Sequence, residues 1–199
     1  MNLYGTPTSP YVRKARILVR AAGLDVTFVD TRTAPGASAL ARLSPVGKVP
    51  VLERGEGETP HVLADSGVIA SWLWAHHAPA LRAAGFVVVP DDWAERERLV
   101  LVEGALDAAI NRLYLLRDGL PDKGYVTRQG ERVVTILAAL EASLPAFSRP
   151  LATSALTLGC ALDWMVFRKL TDPRRTPRLG AFYDDWLASG VGAGTEPVS

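Results

Sequence analysis

Short strand-like runs crowd into the first third of this chain and then vanish, while the apolar residues that follow recur three and four positions apart. A strand presents the same face every second residue and a helix about every 3.6, so this change of period divides the chain into a mixed part and a helical part. Asn2-Leu3-Tyr4 reads as a strand, residues 11–22 as a helix and residues 26–29 as a second strand, followed by a polar, turn-rich stretch from Thr31. Two further apolar runs, residues 49–52 and 61–63, flank Arg54-Gly55-Glu56-Gly57-Glu58, which reads as the loop of an antiparallel hairpin. A helix is predicted to open at Asp65-Ser66, to carry Val68, Ile69, Trp72 and Leu73 on one face, and to stop before Pro79.

Residues 79–92 hold Pro79, Gly85 and Pro90 and break the helical period, so they read as a connector. The expected division is a mixed domain over 1–80, a linker over 81–92 and a helical domain over 93–199. In the helical part Leu99, Val102, Leu106, Ala109, Leu113 and Leu116 form the stripe of a long amphipathic helix. Val133, Leu137, Leu140 and Leu144 mark a second helix, residues 155–170 a strongly apolar third and residues 177–187 a fourth. Residues 190–199 read as a loosely held tail.

Hydrophobic residues at 48% and charged residues at 22% call for a packed core rather than a disordered chain. The formal net charge of +1 gives no overall field to draw in nucleic acid or an anionic membrane, so any anion site must be built locally. The single cysteine, Cys160, excludes an internal disulfide and a CxxC redox pair, and on an apolar helical stretch it reads as a packing residue. His61, His76 and His77 lack the spacing and the acidic neighbours of a metal site, so His61 reads as a strand residue, the pair as a helix end, and no metal is expected. The five tryptophans fit cores or interfaces, since no basic aromatic strand motif accompanies them. No stretch has the ~20 apolar residues of a membrane-spanning helix, and residues 1–5 lack the pattern of a secretory signal, so the expected location is cytoplasmic.

Three local features can carry chemistry, and each has a plainer structural use. Ser9-Pro10 is a sufficient helix start: serine accepts from free first-turn amides, and proline has no amide hydrogen to lose. The same hydroxyl also sits at the positive end of a helix dipole, where a thiolate is stabilised. In Gly47-Lys48-Val49-Pro50 the proline either opens an edge strand or follows a cis bond that turns the Val49 backbone outward, free for a ligand's peptide groups. Asp65-Ser66 caps the next helix, or it clasps an α-amino acid, the carboxylate taking the ammonium while the hydroxyl and helix amides take the carboxyl group.

Taken in order, Ser9-Pro10-Tyr11-Val12-Arg13-Lys14-Ala15-Arg16, Ser44-Pro45-Val46-Gly47-Lys48-Val49-Pro50 and Asp65-Ser66-Gly67-Val68-Ile69 resemble the amino-terminal domain of cytosolic glutathione transferases. Glu103-Gly104-Ala105-Leu106-Asp107-Ala108-Ala109 and Gly159-Cys160-Ala161-Leu162-Asp163-Trp164 extend the resemblance over nearly the whole chain, in the manner of a bacterial serine-type member. The resemblance implies an α/β plus all-α fold, a thioredoxin-like βαβ-ββα domain followed by an all-helical one. It also implies an enzyme in which a glutathione thiolate attacks a hydrophobic electrophile docked between the domains. Glutathione is then a co-substrate, no cofactor is tightly bound, and a homodimer without nucleic-acid or membrane partners is expected.

By the same resemblance, Ser9 faces the sulfur as the catalytic residue and Val49, before cis Pro50, pairs with the cysteinyl backbone. Lys48 approaches the glycyl carboxylate, and Asp65 with Ser66 holds the γ-glutamyl end. Thr6, Pro7 and Tyr11, with Asn111, Tyr114 and Arg117, are the implied substrate walls. Glu103 and Asp107, four apart on one helical face, border the cleft, reach a neighbouring subunit's glutathione, or are solvated carboxylates. Two other readings share this fold: a non-catalytic adaptor of the RNA-polymerase-associated stringent-starvation type, and a glutathione-dependent isomerase or peroxidase. One departure stands out. Relatives carry a Ser/Thr-x-x-Asp capping box at the core helix of the second domain, whereas Leu151-Ala152-Thr153-Ser154-Ala155-Leu156 has alanine in place of the aspartate, leaving Thr153 or Ser154 as the expected substitute cap.

Overall fold

The four strand runs of the first part, β1 (Asn2–Gly5), β2 (Thr27–Asp30), β3 (Val51–Arg54) and β4 (His61–Ala64), form one sheet in the order β2-β1-β3-β4. The computed structural model describes residues 1–55, 61–88 and 92–198, so residues 56–58 of the predicted hairpin loop and residues 89–91 of the predicted connector lie outside the described residues. The chain divides into two units, Met1–Val88 together with Val191–Ser199, and Val89–Gly190.

In the first unit β1 pairs parallel with β2 and antiparallel with β3, and β3 pairs antiparallel with β4. The parallel pair needs a crossover, which α1 (Pro10–Ala21) supplies. Central strands are covered on both faces, so Leu3, Tyr4, Val51 and Leu52 are all buried, while β2 and β4 are half-exposed edges. Helix α1 packs against α3 (Ser66–Ala83).

The stretch read as turns from Thr31 contains a helix, α2 (Ala34–Leu43). Its start signal was present: Thr33 Oγ1 accepts from Gly36 N at 3.2 Å, with proline in the first turn. Gly36 is there because a Cβ at that position would lie 2.2 Å from the Asp30 carbonyl oxygen at the end of β2. The first helical piece of α3 ends before Pro79, as the sequence predicts: the path breaks at His77 (φ −131°, ψ 21°), and Pro79 falls in the first turn of a second piece beyond, where its missing amide costs little. Residues 81–83, expected in the linker, are the last turn of α3.

The second unit holds α4 (Trp93–Arg117), α5 (Tyr125–Ser143), α6 (Thr153–Phe167) and α7 (Pro177–Ala188), with a short 3-10 turn at Pro173–Arg175. Helix α4 packs on α5 and α6, and α7 on α5 and α6. Val102, Leu106 and Ala109 of the predicted α4 stripe are buried. Residues 154–165 of α6 are almost all buried, Cys160 among them, which makes α6 the central helix of this unit.

Burial of α6 makes its first turn expensive to leave uncapped. Its N-cap is Ala152, which has no side-chain bond to give. Neither Thr153 nor Ser154 substitutes, contrary to the expectation from sequence. The buried carboxylate of Glu95, from the first turn of α4, accepts from Ser154 N at 2.7 Å and from Ser154 Oγ at 2.6 Å, and Arg98 Nη2 donates to it at 3.3 Å. The missing local cap is thus supplied from another helix.

Residues 190–199, read as a loose tail within the helical part, also differ. Residues 191–198 group with the first unit, and Val191 and Thr195 are buried.

Candidate functional site

The register of the sheet brings the three chemical segments to one end. Tyr4 pairs with Val51, and Val51 with Ala64, so β1, β3 and β4 cross in one row with neighbouring strands about 4.8 Å apart. From that row β1 runs out into Thr6–Ser9, the chain enters β3 through Val49-Pro50, and β4 runs out into Asp65-Ser66.

Ser9 is the N-cap of α1, with Pro10 at the first helical position. Its Oγ accepts from Val12 N at 3.3 Å, and its own amide donates to Thr6 O at 3.1 Å. A hydroxyl has one hydrogen to give besides the lone pairs it offers. Among the described residues nothing accepts that hydrogen from Ser9, so capping leaves it available. Thr6, Pro7 and Tyr11 flank Ser9 and are half-buried.

The Val49-Pro50 bond is cis, one of two such bonds among the described residues, the other being Arg149-Pro150. Pro50 is buried, Val49 half-buried and Lys48 exposed.

Asp65 caps α3, its Oδ1 accepting from Gly67 N at 2.7 Å and from Val68 N at 2.9 Å. It does so at φ 73°, ψ 159°, a conformation that only glycine adopts without strain. An ordinary N-cap keeps φ negative and makes the same two bonds. Capping therefore does not account for about 1–3 kcal/mol of backbone strain. Strain of this kind collects where a chain holds a ligand. Ser66 behind it is buried.

Asn111, Tyr114 and Arg117 follow one another at three-residue steps on one exposed face of α4 in the second unit, with the Arg117 guanidinium 4.6 Å from the Tyr114 ring centre. Glu103 is half-buried and Asp107 exposed on the same helix. The sequence reading passed over Arg13, Arg16 and Arg20 of α1, although their spacing puts them on the same helical stripe as Ser9.

His61 lies in β4 as expected. His76 and His77 lie where the first helical piece of α3 ends, as expected, with His76 Nδ1 2.9 Å from the Trp72 carbonyl oxygen and its ring stacked on Trp72. Trp164 and Trp186 are buried core residues, whereas Trp93 is 74% exposed beside Arg96 and belongs to no core of this chain.

Comparison with known proteins agrees with the fold. Residues 3–80 match the family described as glutathione S-transferase, N-terminal domain. The "Uncharacterized GST-like protein YibF" of Escherichia coli K12 is 28% identical over 191 residues, covering 85% of this chain and 84% of its own. A glutathione transferase family member from Pseudomonas fluorescens Pf-5, solved with bound glutathione, is 28% identical with a TM-score of 0.80 and covers 100% of this chain and 99% of its own. A glutathione S-transferase from Methylobacillus flagellatus KT with glutathione bound is 25% identical with a TM-score of 0.82, covering 99% of both chains. Residues 3–80 therefore carry the amino-terminal domain of the glutathione S-transferase family, and over its full length, with the helical second unit, the chain is similar to these glutathione transferase relatives.

Proposed function

We propose that the protein binds glutathione at the Tyr4–Val51–Ala64 end of its sheet and stabilises the bound thiolate for attack on a hydrophobic electrophile. One observation carries this reading: a single row of strand pairing gathers Ser9, Val49-Pro50 and Asp65-Ser66. Ser9 directs its unused hydroxyl hydrogen at the sulfur, where the α1 dipole also favours negative charge. The Val49 backbone pairs with the cysteinyl peptide, Lys48 faces the glycyl carboxylate, and Asp65 with Ser66 holds the γ-glutamyl group. Thr6, Pro7 and Tyr11 border the electrophile. The thiol proton passes to solvent, the sulfur lone pair forms the carbon–sulfur bond, and the displaced electron pair departs with the leaving group. Solved relatives that hold glutathione support the ligand, and nothing in the site selects the electrophile.

Calorimetric titration with glutathione tests the ligand: saturable binding below millimolar concentration is expected, and no binding at millimolar concentration turns the reading to the adaptor. Ser9→Gly tests the hydroxyl, because glycine replaces serine as an N-cap at a cost of only a few tenths of a kcal/mol. A hydrogen bond to a charged group contributes about 1.5–3 kcal/mol, so the bound thiol pKa should rise by about one to two units in this variant. A Ser9→Gly protein with unchanged thiol pKa and turnover would leave Ser9 as a helix cap alone.

A further inference from the structure

Four consecutive carbonyls of the segment after α7 accept hydrogen bonds from arginines of α1. Val191 O and Ala193 O bond Arg20 at 2.6 and 2.5 Å, Gly192 O bonds Arg13 at 3.3 Å, and Gly194 O bonds Arg16 at 3.1 Å. Arg13 Nε adds a fifth bond, to Thr195 Oγ1 at 3.2 Å. The segment is folded to receive them. Thr195 N and Thr195 Oγ1 both donate to Gly192 O, at 3.1 and 2.7 Å, closing a turn whose third residue, Gly194, has φ 73° and so needs glycine.

Steps of four, seven and eleven residues bring Arg13, Arg16 and Arg20 onto the helical stripe that begins at Ser9. Three guanidiniums on one stripe repel one another. Burial, followed by the charges of Arg13 and Arg20, holds Arg16 below the ordinary arginine range, with Glu196 acting the other way. The carbonyls of the segment stabilise an arrangement that α1, which carries no acidic residue in its first turn, does not stabilise by itself. The deepest anchor is also the one nearest the proposed site: Arg13 is buried, and its amide closes the first turn of α1 on Ser9 O at 2.9 Å.

We propose that segment 191–198 is a strap that fixes the amino-terminal turn of α1, with Arg13 as a positioning residue that aims the Ser9 hydroxyl and the first-turn amides at the glutathione sulfur. This inference rests on the glutathione reading above. Arg13 holds two acceptors at once, which a planar fork does and a lysine ammonium on a flexible stem does poorly, so the geometry calls for arginine and not merely for positive charge.

Arg13→Lys and Thr195→Val test it, with Glu141→Ala in the second unit as a control that loses stability away from the strap. Calorimetry gives glutathione affinity, thiolate absorbance against pH gives the bound thiol pKa, and amide exchange reports the first turn of α1. Both strap variants should weaken glutathione binding about three- to tenfold, raise the bound thiol pKa by about half a unit or more, and speed exchange at residues 11–16 about tenfold. Glu141→Ala should lower the melting temperature without moving the thiol pKa. A wild-type protein that binds no glutathione overturns the site reading and this proposal together. A wild-type protein that binds it, with both strap variants matching it in affinity, thiol pKa and exchange, overturns the strap alone. So does a Glu141→Ala thiol pKa that rises as far as theirs.

Discussion

Glu95 shows how much a single side chain decides in this protein. Its carboxylate satisfies both the Ser154 amide and the Ser154 hydroxyl at the buried start of α6. Removing it leaves two buried donors without partners, each costing about 1–3 kcal/mol, so Glu95→Ala should lose about 2–6 kcal/mol. Urea unfolding reads this as a lower midpoint at unchanged slope, and a midpoint equal to that of the wild type would show that the cap carries no weight. Nothing in the sequence pointed to Glu95, because the pair lies 59 positions apart and the local pattern showed only that a cap was missing. Ser9, Pro50 and Asp65 were legible for the opposite reason. Helix caps and prolines act on their own neighbours, so their chemistry is written locally. The strain at Asp65, its φ of 73°, was not legible, since no residue type advertises it.

Among the elements, α6 and α7 meet where Gly159 faces Trp186. A Cβ at Gly159 would lie 2.3 Å from the indole ring, and that ring is only 1% exposed and fixed through Nε1 to Asp163 Oδ2 at 3.1 Å. Alanine gains about 1 kcal/mol over glycine in a helix, but overpacking a fixed neighbour costs about 1–3 kcal/mol or more. The ring has no free side to move toward, so the clash should dominate. Gly159→Ala is therefore expected to lower the melting temperature by several degrees and to alter the near-ultraviolet tryptophan signal, whereas a raised melting temperature would mean that the two helices slide apart freely. Long helices were readable from their apolar period, and α4 and α6 stand where that period placed them. Helix α2 was not, because most of its residues are exposed or half-exposed and give no buried stripe. Residues 190–199 were misread as a loose tail because the arginines that bind their carbonyls come from the far end of the chain.

For the molecule as a whole, pH dependence follows from a few shifted groups. Glu53 is held below the ordinary range, first by the Asn2 side chain at 3.0 Å and then by the Tyr4 hydroxyl at 2.8 Å, against the opposing effect of burial. Asp30 is lowered chiefly by its bonds to Arg32. At Glu141 desolvation pushes upward, but the amides of Arg178 and Leu179 at the start of α7 outweigh it and the net shift is down. A carboxylate lowered in the folded state adds stability that is complete above its unfolded value, about 3.9 for Asp and 4.3 for Glu, and is lost as pH falls through the folded value. Tyr4 is raised, by burial first and then by Glu53, so its contribution is complete below about 10 and is lost as pH climbs through its folded value. Stability should therefore hold level through neutral pH and fall at both ends, and the Tyr4–Glu53 bond takes part in both falls. Glu53→Gln keeps an acceptor for Tyr4 but removes the charge. Urea midpoints measured from about pH 3 to pH 11 should then show a shallower acid limb, and the Tyr4 phenol should titrate lower than in the wild type while burial still holds it above its ordinary value. Superimposable acid limbs in the two proteins would assign that limb to Asp30 and Glu141 instead.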